Sequence, residues 1–381
     1  MNSVELTNKL ISIPSWVDLK TNEIEVGQFV FNYLRRFKWL KVCKQSVIGD
    51  RFNVVARDNY PTRLLVIGHI DTVQPRSGWI TNLVKPVTKD GKIYGLGATD
   101  MKGGIAAILS TLDGINSTRG LMFLFYIDEE YDFLGTKKFI NEYQNKIKPK
   151  FIISLDGSDL SLGLGCRGLI EIRFVVAGKS GHAAKPDDGL NAIDWSFAAI
   201  NNLKKYLKRF SSKELGQTTI NVAFFQGGLN LGRDKNGLIF GKEGNNIADV
   251  AEFIVDIRPA SSALDAQKIV GNVKRFFNSQ GLKLVGKEIR HDLSPWLTKK
   301  SKIKKISAII DQEITEKYSF PANAGFIDIQ FFWNCFKVPC LTFGPGSSAV
   351  AHKANEFIKI NNLLNSEKIL KKIIIKFGKN L

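Results

Sequence analysis

Residues 64–71 read LLVIGHID, a short apolar run that ends in His69 and Asp71. Three other stretches share the pattern: LMFLFYIDEE at 121–130, FIISLDG at 151–157 and VPCLTFGPG at 338–346. Apolar runs of this length that stop at polar residues read as strands buried on both faces, as in parallel sheets. Between them, MKGGIAAILSTLDGI at 101–115 has the spacing of a helix, and alternation of strand and helix predicts an open α/β sheet. Ligands of such sheets bind beyond the carboxyl ends of the strands, where His69, Asp71, Glu129, Glu130 and Asp156 would fall.

The rhythm changes between about residues 167 and 291. GLIEIRFVVAG predicts a strand, LNAIDWSFAAINNLKKYLKRF a helix, TTINVAFFQGG and DVAEFIVDIRP two strands, ALDAQKIVGNVKRFFNSQ a helix and LKLVGKEI a last strand. The order βαββαβ is that of a ferredoxin-like unit. Because sheet signals resume near VPCLTFGPG, this unit reads as inserted into a discontinuous first domain, giving spans 1–166, 167–291 and 292–381.

At 381 residues and 44% apolar composition the chain can bury a large core. It holds no run of about 18 uninterrupted apolar residues and its first residues lack an apolar leader, so a cytoplasmic protein without membrane contact is expected. Cys43, Cys166, Cys335 and Cys340 form no CxxC pair, which argues against a zinc ribbon or disulfide framework and for buried thiols. The net charge of +18 comes from lysines spread along the chain, as in the run Lys299, Lys300, Lys302, Lys304 and Lys305. Without interleaved aromatic residues this reads as a solvated basic surface rather than a nucleic-acid groove, with steering of anionic substrates as the other reading.

There are four histidines. His291 reads as structural. His69 differs because Asp71, two residues on, shares its side of an extended backbone and can orient the ring toward a metal. Asp100 follows the glycine-rich GLGATD, where a metal ligand and a helix cap are equally good readings. Glu129 and Glu130 end a strongly apolar strand, and adjacent buried acids need a cation. On extended backbone they should point in opposite directions, leaving one free as a base. Asp156 ends a third strand. Together these residues suit two cations of the zinc type sharing a bridging carboxylate.

Six segments, GHIDTV, GLGATDMKGG, IDEE, GKSGHAAKPDDGLNAI, NNIADVAEFIVDIRP and FGPGSSAVAHKANEFI, resemble in order and spacing the dinuclear zinc amidohydrolases and metallopeptidases. That family includes acetylornithine deacetylase, succinyl-diaminopimelate desuccinylase, aminoacylase and the glutamate carboxypeptidases. The resemblance implies one metal on His69, Asp100 and Asp156 and a second on Asp100, Glu130 and His352. It makes Glu129 the general base, Asp71 the partner of His69, and the Asp100–Met101 peptide cis. It implies that His182 stabilises the oxyanion in a partner's active site, that Arg258 grips the substrate carboxylate, and that Asn246, Gly344 and Gly346 line the substrate pocket. The sequence departs from the family at Asp156, where the deacetylase and desuccinylase carry glutamate, and at Phe326, Ile327 and Gln330, where the desuccinylase carries small hydroxyl residues and an arginine.

The expectation is thus a metal-dependent enzyme, with zinc favoured and cobalt or manganese as alternatives. It would use a metal-bound hydroxide and Glu129 to cleave a small N-acyl amino acid, acetylornithine being the leading case, and would dimerise through the inserted lid. A di- or tripeptidase, a carboxypeptidase or a desuccinylase is the alternative, and a non-catalytic dimeric binding protein a reading from another class.

Overall fold

A computed structural model describes the chain apart from residues 157–158, 236, 316, 322–327 and 381 and the side chains of 379 and 380. The chain divides into two compact units, Met1–Leu164 with Leu297–Phe320 and Ile327–Leu381, and Gly165–Trp296 with Pro321–Phe326.

The first unit is built on a six-stranded sheet in the order Lys41–Ile48, Arg51–Arg57, Leu121–Tyr126, Leu64–His69, Phe151–Ser154, Cys340–Thr342. The last four run parallel, and every residue in them is buried. Burial on both faces is what removes the polar alternation from their sequences. Helices Ser3–Ile11, Gly103–Thr111 and Ile360–Asn380 contribute Leu6, Ile105, Ile108, Leu370 and Ile374 to the same core as Val66, Phe123 and Ile153. Gly103–Thr111 is buried on all sides and is shorter than its apolar pattern suggested.

The antiparallel hairpin Lys41–Ile48 and Arg51–Arg57 gave no strong strand signal. Its outer strand, KVCKQSVI, is mostly exposed and therefore free to be polar.

Beyond Tyr126 the chain leaves the sheet and turns, with Asp128 in the left-handed region at φ +67°. The Asp128 carboxylate accepts from the backbone N–H groups of Asp132 (3.2 Å) and Leu134 (3.3 Å) and from Arg51 Nη2 (2.8 Å). Arg51 also donates through Nε and Nη2 to one oxygen of Glu23, at 3.0 and 2.8 Å. One guanidinium thus ties the turn that carries Glu129 and Glu130 to the start of helix Ile24–Leu34.

The second unit has a five-stranded antiparallel sheet in the order Gly237–Gly241, Thr219–Asp234, Val250–Arg258, Leu169–Ala177, Lys283–Leu293. Helices Ala192–Leu207 and Ala266–Ser279 supply Leu203, Ile269, Val273 and Phe277 to a core with Ile172, Phe174, Phe253 and Val255. Apart from Gly237–Gly241 the order is βαββαβ. The extra strand pairs with the far end of Thr219–Asp234, which continues past the two glycines where the apolar pattern stops. The unit also extends beyond the 167–291 span read from sequence, because its last strand continues to Leu293.

Removing one member of a buried ion network leaves its partners uncompensated. Arg51→Ala should therefore strand the buried Glu23 and Asp128 carboxylates and lower the unfolding free energy by about 3–5 kcal/mol in urea melts. A change below about 1 kcal/mol, the range of an exposed pair, would show that the turn is held by other contacts.

Candidate metal centre

His69 closes its buried strand with 1% of its surface exposed, and its Nε2 lies 2.9 Å from Asp100 Oδ1. The other oxygen of Asp100 lies 3.1 Å from His352 Nε2, which is also 3.1 Å from Glu130 Oε2. Asp100 thereby faces two histidines with two different oxygens. Three sets of side chains converge with donor atoms within 4.8 Å of one another: His69, Asp100 and Asp156; Asp100, Glu130 and His352; and His69, Glu129 and Glu130. The Asp100–Met101 peptide is cis.

The donor set fits two divalent cations. Desolvation pushes Asp156 up to about 8, with the Asp100 charge adding to it, and raises Glu129 well above the ordinary glutamate range. Glu130 is raised as well, first by burial. Asp100, held between two imidazoles that overcome its burial, is instead lowered. Hydrogen bonds to Asp100 and Glu130 push His352 up to about 10, and the acids around His69 raise it well above the usual imidazole value despite its burial. Glu130 Oε1 and Asp71 Oδ1 are buried without a hydrogen-bond partner, and each such atom costs about 1–3 kcal/mol if nothing compensates it. Converging carboxylates that repel one another, and the donorless Glu130 Oε1 among them, are what a bound dication would stabilise.

The converging side chains are held from behind. His69 Nδ1 lies 3.1 Å from the backbone carbonyl of Asp71 and 3.5 Å from its carboxylate. The nearer acceptor is the carbonyl, and Asp71 Oδ2 instead accepts from the backbone N–H of Glu130 at 3.0 Å. Asp71 therefore ties His69 to Glu130, two members of the converging sets. Glu356, 1% exposed, accepts from the Thr99 N–H at 3.4 Å and also from that of Gly97. It thus braces the loop before Asp100 from a position four residues after His352. Buried Lys102 donates to the Ile13 carbonyl at 2.7 Å. Gly346 is buried against the same loop, and a Cβ there would stand 2.1 Å from the Thr99 carbonyl oxygen, so only glycine fits.

In the second unit, backbone pairing joins His182 to Asn246. The exposed His182 ring accepts the Ala184 N–H at Nδ1 (3.1 Å), which in the neutral ring leaves the proton on Nε2 as an outward donor. Arg258 is already engaged: its Nε and Nη2 donate to the two oxygens of Asp256 at 2.7 and 2.8 Å. Both residues line a cavity of about 330 Å³ with Thr219, Ile220 and Asn221.

Several expectations change. Glu129 and Glu130 lie in the turn after the strand rather than on extended backbone, and their carboxylates converge with His69 instead of pointing apart. Asp100 caps no helix, since the helical segment starts at Gly103 and the Asp100 side chain faces the histidines. Of the cysteines, Cys166 and Cys340 are buried, but Cys43 is exposed and Cys335 half-buried. Gln330 is buried, while Phe326 and Ile327 lie outside the described residues.

Sequence reading missed Asp328, which is fully buried and hydrogen-bonded to the Tyr126 hydroxyl. Burial pushes its carboxyl up to about 6. Glu356 and Lys102 were likewise passed over, although a charge in an apolar neighbourhood was the available signal.

The protonation pattern has a measurable consequence. With Asp156 at about 8 and His352 at about 10, both carry protons at pH 7 before a metal enters, and binding must expel them. Apparent metal affinity should therefore rise with pH, by about tenfold per unit for each proton displaced, and less steeply once Asp156 ionises above about 8. Calorimetry in buffers of different ionisation enthalpy would read the proton release directly, and the same heat in every buffer would contradict it.

The model of peptidase family M20/M25/M40 matches residues 65–376. Acetylornithine deacetylase from Buchnera aphidicola subsp. Schizaphis graminum is 28% identical over 393 aligned residues, which cover 98% of this chain and 97% of that protein. A tripeptidase structure from Staphylococcus aureus superposes with a TM-score of 0.77 at 21% identity, covering 100% of this chain and 98% of its own. A dinuclear metal-binding peptidase of the M20 family from Bacillus subtilis does so with a TM-score of 0.67 at 13% identity, covering 100% and 98%. With a family model spanning most of its length and a two-histidine, multi-carboxylate cluster of the kind such hydrolases need, this chain belongs to peptidase family M20/M25/M40 and is a metal-dependent amidohydrolase or peptidase.

Proposed function

We propose that the protein hydrolyses the amide bond of a small N-acyl amino acid, with N-acetylornithine the leading candidate. The observation that carries this reading is the convergence of Glu129 on His69, which also faces Asp100, itself close to a second histidine, His352. The full-length likeness to acetylornithine deacetylases supports the substrate class. His69, Asp100 and Asp156 would hold one ion and Asp100, Glu130 and His352 the other. Mixed nitrogen and oxygen donors favour zinc, with cobalt or manganese as substitutes.

Bound there, two divalent ions would supply an acidified water and a polarised substrate carbonyl. Glu129, kept protonatable by its burial, takes the proton of the attacking water and passes it to the leaving nitrogen. Asp71 fixes the ring of His69 and the backbone of Glu130 while this happens. His182 donates from Nε2 to the developing oxyanion, Arg258 receives the substrate carboxylate, and Asn246, Gly344 and Gly346 supply further substrate contacts. The second unit, read as a ferredoxin-like lid, would also join two copies. Its exposed apolar side chains Phe197, Leu231 and Ile239 fit such a contact. A tri- or carboxypeptidase is the second reading, favoured by aspartate at position 156.

Glu129→Ala should retain both metals and lose about 10²–10⁴-fold in kcat; unaltered turnover removes Glu129 from its role. Substrate class is tested on the metal-loaded enzyme with N-acetylornithine, N-acetylmethionine, N-succinyl-diaminopimelate and di- and tripeptides. Cleavage of peptides alone would replace the first reading with the second. For the dimer, light scattering should give twice the chain mass, and a fully active monomer would refute a role for His182 across subunits.

A further inference from the structure

The lysine run near residue 300 is exposed and stands apart from the three converging sets, but part of it borders a concavity. Lys302, Lys304 and Lys305 border a cavity of about 500 Å³, which Arg63 and Lys150 also line. Its floor is apolar: Phe151, Ile306 and Phe377 are 4, 2 and 8% exposed, and the two aromatic rings lie 6.0 Å apart. Among the described residues no carboxylate lines the cavity. Among the described residues the ammonium groups of Lys150, Lys302, Lys304 and Lys305 have no ion pair or hydrogen bond.

Its position separates it from the metal cluster. Arg63 and Lys150 immediately precede the parallel strands Leu64–His69 and Phe151–Ser154, so the cavity sits at their amino ends. His69 and Asp156 are at the carboxyl ends, roughly 20 Å away at about 3.3 Å of rise per residue.

Several unpaired cations over a low-dielectric floor repel one another, and that repulsion is relieved by an anion. An apolar floor adds a second requirement, because a bare inorganic ion would leave it wet. A group with two negative charges can take hydrogen bonds from several ammonium groups at once. The volume suits a small molecule of nucleotide size.

We propose that this cavity binds a small organic phosphate whose aromatic or alkyl body lies on Phe151, Ile306 and Phe377 and whose phosphate is held by Lys150, Lys302, Lys304 and Lys305. A nucleotide and a lipid-like alkyl phosphate share that chemistry. The site stands independently of the hydrolytic reading above.

The test titrates the metal-loaded protein with mant-ADP, followed by dye fluorescence, and with decyl phosphate and inorganic phosphate, followed by calorimetry. One of the two organic phosphates should bind saturably with Kd below about 100 µM, and which one identifies the source. The Lys302→Ala/Lys304→Ala/Lys305→Ala variant should bind it at least about tenfold more weakly while keeping its metal content and melting temperature. Lys150→Ala, from a separate segment, should weaken binding in the same direction. Inorganic phosphate binding as tightly would remove the floor from the proposal. Binding unchanged in both variants would put the ligand at the metal centre and overturn it, as would the absence of saturable binding by either organic phosphate.

Discussion

Mutual repulsion among buried carboxylates is the constraint around which the first unit is organised. Asp100, Glu129, Glu130, Asp156 and Asp328 approach two imidazoles in a setting where burial raises four of the five acids. Such a cluster persists only if the backbone prevents its members from turning out to water. The architecture supplies that restraint in layers. Strands buried on both faces fix where His69 and the Glu129 turn begin. Asp71 ties His69 to Glu130, Glu356 braces the loop before Asp100, and Arg51 locks the turn after Tyr126. Such a charge arrangement costs stability that bound cations, as proposed, would offset.

This explains which parts were legible in the sequence. Parallel strands buried on both faces leave unbroken apolar runs that end in abrupt polar residues, so the four central strands and, of the three converging sets, His69, Glu129, Glu130 and Asp156 stood out directly, whereas Asp100 was equally a helix cap and His352 came only through the family resemblance. The βαββαβ order of the second unit was legible for a related reason: its helices carry clear amphipathic stripes and its strands alternate. The outer strand Lys41–Ile48 was silent because an exposed edge strand needs no apolar pattern. The extension of Thr219–Asp234 was silent because it passes through two glycines and polar residues while remaining paired.

Orientation was less legible than position. The opposed carboxylates expected of Glu129 and Glu130 assumed a strand that in fact ends at Tyr126, and the turn that follows brings both inward. Asp71 was correctly placed beside His69, but its carboxylate serves Glu130 more directly than the imidazole. Gly346 was read as pocket lining, whereas its small size is demanded by the Thr99 carbonyl oxygen. In each case a residue's neighbourhood followed from the pattern, while its hydrogen-bond partner depended on chain crossings that no local pattern encodes.

The same distinction bears on substrate choice. A carboxylate-bridged metal pair serves deacetylation and peptide hydrolysis alike, so discrimination has to come from groups that meet the remainder of the substrate. Arg258 is the cation expected there, yet its Nε and Nη2 edge is already occupied by Asp256. A substrate carboxylate arriving at Arg258 either takes the remaining guanidinium edge, with Asp256 left as a neighbouring negative charge, or displaces Asp256. In the first case a substrate that also carries an ammonium group can satisfy the Asp256 charge it would otherwise face, and in the second the lost pairing subtracts from binding. If Arg258 receives the substrate carboxylate as proposed, the Asp256 carboxylate stays close to the bound substrate in either arrangement, and a cationic side chain would then gain relative to an apolar one.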